Sequence, residues 1–509
     1  MLPRHTPQPS IPAMNGSNIA SMTNFNLITH PWIPVRWLAG HHSLVGLDEL
    51  FRRAAEIADL DAVPHERISL IRLLVCITQA ALGAPADMYG WDDFGGDLEE
   101  AVPTYLGQSE IFSHFNLFGD GPRFLQCKAT AGDKSYPACQ VSFTMAAGNS
   151  PTLFDHFGEA PRIMDAAFLA RLLLCYQNFF VGGSMASKVK GNGPSLKMLH
   201  TFLIGETLKR TILANCMDAE LAPNLGKPYW ELMTPDQIHG NAAKVVTESY
   251  LGRLVPLSCR LDVTGNSHDG FAIHIDQGLE YPAYPAALET SATVIPWKEE
   301  FRLLRADTNR GIWRDLHCLA ILHRSDTQCQ SAPKILQSHI IEHEEGEVDL
   351  WVGELIKAKD AKILDAIEDR FTVPHRLFSE IGQLIYSKGV QHADTQSTCI
   401  YSAVKTYAES MMNGSPPVEI AQRYFWNSLD QQRQTLLDLV KDDASIRGKN
   451  FGESDDPWSL AVRKAAHAAY DHACPRSTPR QIEAYALGLR RLRPKSTKPK
   501  SLKTAPATP

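Results

Sequence analysis

The sequence predicts an α+β protein: a large mixed α/β N-terminal domain followed by a C-terminal four-helix bundle. Two features carry that reading. Up to about residue 374, strand-like runs such as "RLVPLSCRLDV" and "GFAIHID" alternate with apolar helical stretches such as "HERISLIRLLVCITQAALG". From about residue 375 the strand-like runs stop. Four helical segments follow, at roughly 376–412, 417–443, 457–474 and 479–493, with short connections. The expected organisation is a disordered leader over 1–23, the α/β domain over 24–374, the bundle over 375–494 and a disordered basic tail over 495–509.

The elements follow in order. "NFNLITHPWIPVRW" (24–37) reads as a short strand, a proline-bounded turn and a second strand. "SLVGLDELFRRAAEIADL" passes from strand into helix at Leu47 and Asp48. Ile68, Ile71, Leu74, Val75 and Ile77 recur at helical spacing, and Gly83 is a natural helix stop. Residues 84–160 are loop-rich and aromatic, 161–181 form an apolar helix, and 181–198 are flexible and basic. "TFLIGETLKRTILANC" is expected to be helical, 250–305 strand-rich, and "GIWRDLHCLAILH" helical again. In the bundle, Ser415-Pro416, Asp456-Pro457 and Thr478-Pro479-Arg480-Gln481 each set a capping residue before a proline, the last with a capping box. Leu377, Ile381, Leu384 and Ile385 make one apolar stripe, and Ala421, Phe425 and Leu429 another.

Composition narrows the function. Of the 509 residues, 44% are hydrophobic and 21% charged, as in a globular protein. The formal net charge of −7 excludes a uniformly basic surface, so nucleic acid would be met through local basic patches. The ten cysteines form no C-x-x-C and no zinc-finger spacing, so buried free thiols and no metal or cofactor are expected. No run approaches the roughly 20 apolar residues of a membrane span, and the N-terminus lacks the apolar core of a secretory signal. A cytoplasmic protein is the expectation.

Signatures of catalysis are sparse. There is no P-loop, no G-x-S-x-G and no H-E-x-x-H. His268-Asp269 sits in "GNSHDGF", a turn sequence. Asp315 and His317 are two apart on a helix and so face different ways. Asp155 and His156 are adjacent in a loop with no third group to orient them. What remains points to recognition. Lys188, Lys190 and Lys197 interleave with Gly182, Gly183, Gly191 and Gly193; glycines admit close backbone approach to a phosphate and lysines supply charge. "ELIKAKDAKIL" (354–364) carries Lys357, Lys359 and Lys362 and reads as a charged hairpin or helix face.

Taken together, "NLITHPWIPVR", "LVGLDELF", "LIRLLVCITQAAL", "AAGNSPTLFDH", "VGGSMASKVKGNGP", "GIWRDLH", "AQRYFWNSLD" and "TPRQIEAYALGLRRL" resemble the CasA family over roughly residues 24–493. These are the large subunits of the type I-E CRISPR surveillance complex, Cascade. The resemblance implies a non-catalytic protein that reads the protospacer-adjacent motif on duplex DNA, helps open the duplex for guide-RNA pairing and docks a helicase-nuclease. Its partners would be the other Cascade subunits, guide RNA and double-stranded target DNA. It implies a recognition loop with Phe154 as aromatic contact and Asn149 as polar helper. It also implies a glycine loop at Gly182, Gly183 and Ser184, and a wedge at a hairpin tip near 357–361. That tip holds Lys357, Lys359 and Asp360 where the best-known member has glutamine. The family's minor-groove lysine would fall in 283–291, here the lysine-free "AYPAALETS", which leaves Lys298 or a different reading of the motif. Cys259 stands alone in the middle region, so no structural zinc is expected. Exchange of DNA duplex for heteroduplex is nearly balanced at about 1.4 kcal/mol per step, so stabilising the first opened step governs initiation without chemistry. The alternatives are a stand-alone metal-dependent nuclease or hydrolase using Asp155/His156 or Asp315/His317, and a scaffold that never touches DNA.

Overall fold

A computed structural model describes residues 25–86, 88–91, 93–129, 135–145, 164–182, 191–234, 239–267, 270–282, 289–297, 300–307, 310–320, 333–336, 346–357, 363–411, 416–441, 451 and 455–492. Of the residues singled out above, Asn149, Phe154, Asp155, His156, Gly183, Ser184, Lys188, Lys190, His268, Asp269, Lys298, Lys359, Asp360, Lys362 and Ser415 lie outside the described residues, as do the leader and the tail.

At the N-terminus, β1 (Ile33–Trp37) pairs antiparallel with β2 (His42–Val45) and β3 (Ile57–Leu60). Helix α1 (Pro64–Leu82) follows, begun by a proline whose missing N–H is not needed there. Apart from Glu66 it is buried over 64–79, so its apolar residues do not form one stripe. Two of its buried polar side chains find partners inside: Arg67 pairs with Asp59 at 2.7 Å, and Gln79 donates to the Met217 carbonyl at 2.8 Å. Gly83, at φ +78, ends it by donating its N–H to the Gln79 carbonyl. Helix α2 (Ala166–Phe179) is capped by the Asp165 carboxylate, which accepts from the Phe168 N–H at 2.6 Å.

A second sheet has β4 (Ser135–Pro137), β7 (Gly270–Gln277) and β6 (Cys259–Asn266) in that order. The β6–β7 register runs to Asn266 opposite Gly270. A third has β11 (Ile363–Pro374), β10 (Glu347–Lys357) and β5 (His200–Leu203). The strands β8 (Val294–Trp297) and β9 (Glu300–Leu303) form a hairpin.

Strand β5 corrects the helical reading of "TFLIGETLKRTILANC". Only Leu208–Ala214 is helical, and Thr207 caps it. His200–Leu203 is a strand because all four residues are buried and their backbone pairs with Leu350–Gly353. A partner so distant in sequence overrides local propensity. In "GIWRDLHCLAILH" the described part is a 3-10 turn over Ile312–Asp315 and one helical turn over Leu316–Leu319.

The C-terminal part is a bundle of α3 (Glu380–Met411), α4 (Val418–Asp430), α5 (Arg433–Lys441), α6 (Pro457–Ala473) and α7 (Pro479–Leu489). The segment expected at 417–443 is thus two helices, separated at Gln431-Gln432. Helix α4 starts after Pro417 without a side-chain cap, so the cap expected of Ser415-Pro416 is not its start. Asp456 caps α6, accepting from the Ser459 N–H at 2.7 Å, and Thr478 and Gln481 form the capping box of α7. Ala421, Phe425 and Leu429 are wholly buried, as their spacing predicts. The other stripe fails: Ile381 and Leu384 are 54% and 53% exposed. Leu377 belongs to a 3-10 turn over His375–Phe378 that precedes α3, so helical spacing counted through it loses phase. The inward face of α3 is Ile385, Tyr386, Val390, Ala393, Ile400 and Val404. Among the described residues no helix is long and apolar enough to cross a membrane.

Candidate nucleic-acid interface

Three segments singled out in the sequence converge on β5. The first is the glycine-rich segment. Val181 and Asn192 form an isolated antiparallel bridge, and the Gly193 N–H donates to the Phe180 carbonyl at 2.8 Å. These contacts close a stem around residues 183–190. The stem explains two of its glycines. A Cβ on Gly182 would lie 2.0 Å from the Gly191 carbonyl oxygen, and one on Gly193 would lie 2.2 Å from that of Asn178. The two legs therefore touch backbone to backbone, a requirement internal to the stem. Ser195 completes it, donating its N–H to the Asn178 carbonyl and its hydroxyl to the Asn178 amide oxygen.

The second segment is 283–291. Glu289 at its far shoulder is completely buried, and two buried arginines hold its carboxylate: Arg253 at 2.7 Å and Arg72 at 3.1 Å. Arg253 also donates to the Pro282 carbonyl at 3.2 Å, so one guanidinium grips both shoulders of 283–288. A buried carboxylate with two hydrogen-bonded cations is satisfied; removing any one partner would strand a charge.

The third is the hairpin of β10 and β11. Its register runs from Glu347 opposite Pro374 to Ile356 opposite Asp365, then shifts before Lys357 opposite Ile363. This decides the form of "ELIKAKDAKIL": a hairpin, with Lys357 at its stem just before the tip.

His200 joins the three. Its backbone pairs with Gly353 of β10. Its Nε2 lies 2.9 Å from the Ser195 carbonyl, and its Nδ1 2.8 Å from the Ser291 hydroxyl. A carbonyl can only accept, so Nε2 carries the proton and Nδ1 accepts from Ser291. Burial pushes the imidazole pKa down to about 4, which keeps it neutral.

A basic cluster lies over this junction. Lys197 has a left-handed backbone, φ +71, and its carbonyl accepts from Arg305 Nε at 3.0 Å. The Leu199 N–H donates to Leu304, and the Ala306 N–H donates to the Glu354 carboxylate at 2.6 Å, tying the end of β9 to β5 and β10. Burial, then the neighbouring Lys357 and Arg305, push the Lys197 ammonium pKa down. Burial raises Glu354 to about 7. Among the described residues, Lys197, Arg305 and Lys357 have no salt-bridge partner.

Other sequence candidates resolve differently. The Asp315 carboxylate is held by Arg310 at 2.8 and 3.2 Å, and His317 is half-buried, with desolvation lowering its pKa. Among the described residues, no group of three His, Cys, Asp or Glu is placed to hold a metal, and the described cysteines are free thiols. Sequence reasoning missed His200, Arg72, Arg253, Glu289, Arg305 and Glu354. Arg72 inside the apolar "LIRLLV" was a signal, since a buried arginine needs a buried acceptor.

A family model, CRISPR-associated protein Cse1, matches residues 26–469, from the first described bridge into α6. The chain belongs to the Cse1 family. A CasA/Cse1 protein of Thermus thermophilus is 26% identical over 492 residues, covering 89% of this chain and 93% of its own. Among solved structures, Thermus thermophilus CasA (Cse1) matches with a TM-score of 0.74 at 21% identity, covering 92% of this chain and 99% of its own. Cse1 of Acidimicrobium ferrooxidans matches with a TM-score of 0.70 at 18% identity, covering 93% of this chain and 98% of its own. A chain of a CRISPR RNA-guided surveillance complex matches with a TM-score of 0.72 at 17% identity, covering 92% of this chain and 99% of its own. The Cse1 fold thus extends over both the α/β part and the bundle.

Proposed function

We propose that this Cse1-family chain is the non-catalytic large subunit of a type I-E Cascade. In this reading it recognises the protospacer-adjacent motif in double-stranded DNA, helps open the duplex for guide-RNA pairing and docks the helicase-nuclease. The carrying observation is the convergence at His200: the stem of the glycine-rich segment, the shoulder of 283–291 and the hairpin stem share one buried junction. Motif reading and duplex opening need such a fixed relation, because groove contacts and a wedge must meet adjacent base pairs.

Within this reading Phe154 and Asn149 contact the motif and the 5′ end of the guide. The backbone of Gly182, Gly183 and Ser184 approaches the minor groove, with Lys188, Lys190 and Lys197 on phosphates. Lys357, Lys359 and Asp360 form the wedge. The protein works in the cytoplasm with the other Cascade subunits and guide RNA.

A randomised-motif binding selection with the assembled complex tests this. Enrichment of a short motif beside the guide-matched target is expected, and Phe154→Ala should weaken binding of the enriched duplex. A flat motif profile would sink the reading. Metal-dependent cleavage by the purified chain, lost on His156→Ala, would favour a nuclease instead.

A further inference from the structure

We infer that Lys197, Arg305 and Lys357 form one phosphate site at the root of the β10–β11 hairpin, which holds the backbone of target duplex DNA and reads no bases. The inference rests on the DNA-recognition reading above and deepens it: Arg305 joins the site, and Lys357 becomes a backbone contact instead of part of the wedge.

Three observations carry it. First, the cations come from three separate parts of the chain: the exit of the glycine-rich segment, the residues after β9 and the end of β10. Hydrogen bonds between backbones hold these together: Leu199 to Leu304 at 2.9 Å, and Leu304 to Thr293 at 2.8 Å. The β5–β10 pairing adds the third part. Second, Arg305 is oriented. Its Nε is spent on the Lys197 carbonyl, which leaves the two terminal amino groups without a partner among the described residues. Such a fork suits the oxygens of a phosphodiester. Third, no counter-charge is supplied at the surface. Arg305 is exposed and both lysines half-buried, and among the described residues none pairs with a carboxylate. Glu354, the carboxyl group bonded to the next residue after Arg305, is itself buried, only 3% exposed. Glu354 lies within electrostatic reach of Arg305, but burial keeps it partly protonated near pH 7, so the like charges are only partly offset, which raises the energy of the free protein, and a polyanion relieves it. The lowered pKa of Lys197 agrees with that crowding.

Phosphate contacts give affinity that is independent of sequence and steep in salt. Each neutralised phosphate on duplex DNA contributes a slope of about 0.9 in log affinity against log salt. The experiment titrates motif-bearing duplex DNA onto the assembled complex across salt concentrations, with Lys197→Gln, Arg305→Gln, Lys357→Gln and the triple variant. The slope should fall by about 0.9 for each cation removed, and by about 2.7 in the triple. Arg305→Lys should restore most of the slope. The motif profile should not change.

An unaltered slope in the folded triple variant overturns the inference. So does a changed motif profile at constant slope, which would return Lys357 to the wedge or assign the cluster to base reading. Loss of the chain or of guide RNA from the complex would assign the cluster to RNA and overturn the DNA assignment. If the wild-type complex itself fails to bind motif-bearing duplex, the functional reading falls and takes this inference with it; that result is distinct from a wild type that binds and variants that match it.

Discussion

At the residue scale, the buried titratable groups around the junction set how stability depends on pH. Burial lowers His65 and His200 to about 4 from an unfolded value near 6.5. For these groups the unfolded state binds more protons between pH 6.5 and 4. Their contribution is therefore present above pH 6.5 and lost as pH falls through that window. At 1.36 kcal/mol per pKa unit, each accounts for about 3 kcal/mol. Glu354 works the other way. Its folded pKa of about 7 lies above the ordinary glutamate value near 4.5, so its protonation favours the folded state as pH falls from 7. That gain is also about 3 kcal/mol. Two losses exceed one gain, so net stability should fall from pH 7 to 5. Urea melts of the full chain should show it, with His200→Gln flattening the decline and Glu354→Gln steepening it. A Glu354→Gln profile parallel to wild type would remove that carboxyl group from the account. None of these three groups was legible as special in the sequence. A histidine in "KMLHTFL" or a glutamate in "VGELIK" acquires its pKa from burial, and burial depends on contacts the local sequence does not encode.

At the element scale, features whose cause is local were legible and those with distant causes were not. The caps of α6 and α7 follow from Asp456-Pro457 and Thr478-Pro479-Arg480-Gln481, because donor and acceptor lie within three residues. For "ELIKAKDAKIL" the sequence left a hairpin or a helix face open, and the pairing of Ile356 with Asp365 decides for the hairpin. Strand β5 was not legible, because its pairing partner Leu350–Gly353 lies in another part of the chain. Gly182 also carries a requirement of the fold that its sequence context does not disclose. Gly182 is required where the two stem legs touch, whatever binds the segment. Gly182→Ala should therefore destabilise the full chain with no DNA present. Gly191→Ala should cost less, roughly 1 kcal/mol, because that position has φ +87 but open space around the missing Cβ. Urea melts of the two variants would reverse this order if the legs can part freely. The same clash makes Gly182→Asp a poor probe of DNA contact; Phe154→Ala and the cation variants are cleaner.

At the scale of the whole molecule, β11 ends at Pro374, and among the described residues the elements after it are helical. The change in sequence texture there does not reveal what the α/β part sends into the bundle. Trp313, 1% exposed, lies edge-on to Trp458 with ring centres 5.8 Å apart, and its carbonyl accepts from the Tyr386 hydroxyl at 2.7 Å. Arg314 beside it stacks on Trp426 at 3.6 Å and pairs with Asp394. On the far side, Arg433 of α5 holds Asp369 of β11 at 2.8 Å and covers Phe371. The bundle core is thus completed by residues from outside it. Trp313→Ala should cost about 3–5 kcal/mol, as large-to-small changes at buried tryptophans do. A fragment of residues 375–494 lacks that tryptophan altogether and leaves a cavity lined by Tyr386, Trp426 and Trp458. It should unfold at lower urea concentration than the bundle within the full chain, as followed by near-ultraviolet dichroism of its tryptophans, and bind more hydrophobic dye. Equal midpoints for fragment and full chain would mean that the bundle folds on its own and that Trp313 only docks against a finished surface. A lower midpoint for the fragment, matched by Trp313→Ala in the full chain, would mean that a structural change at the bundle cannot leave the 310–320 segment unmoved.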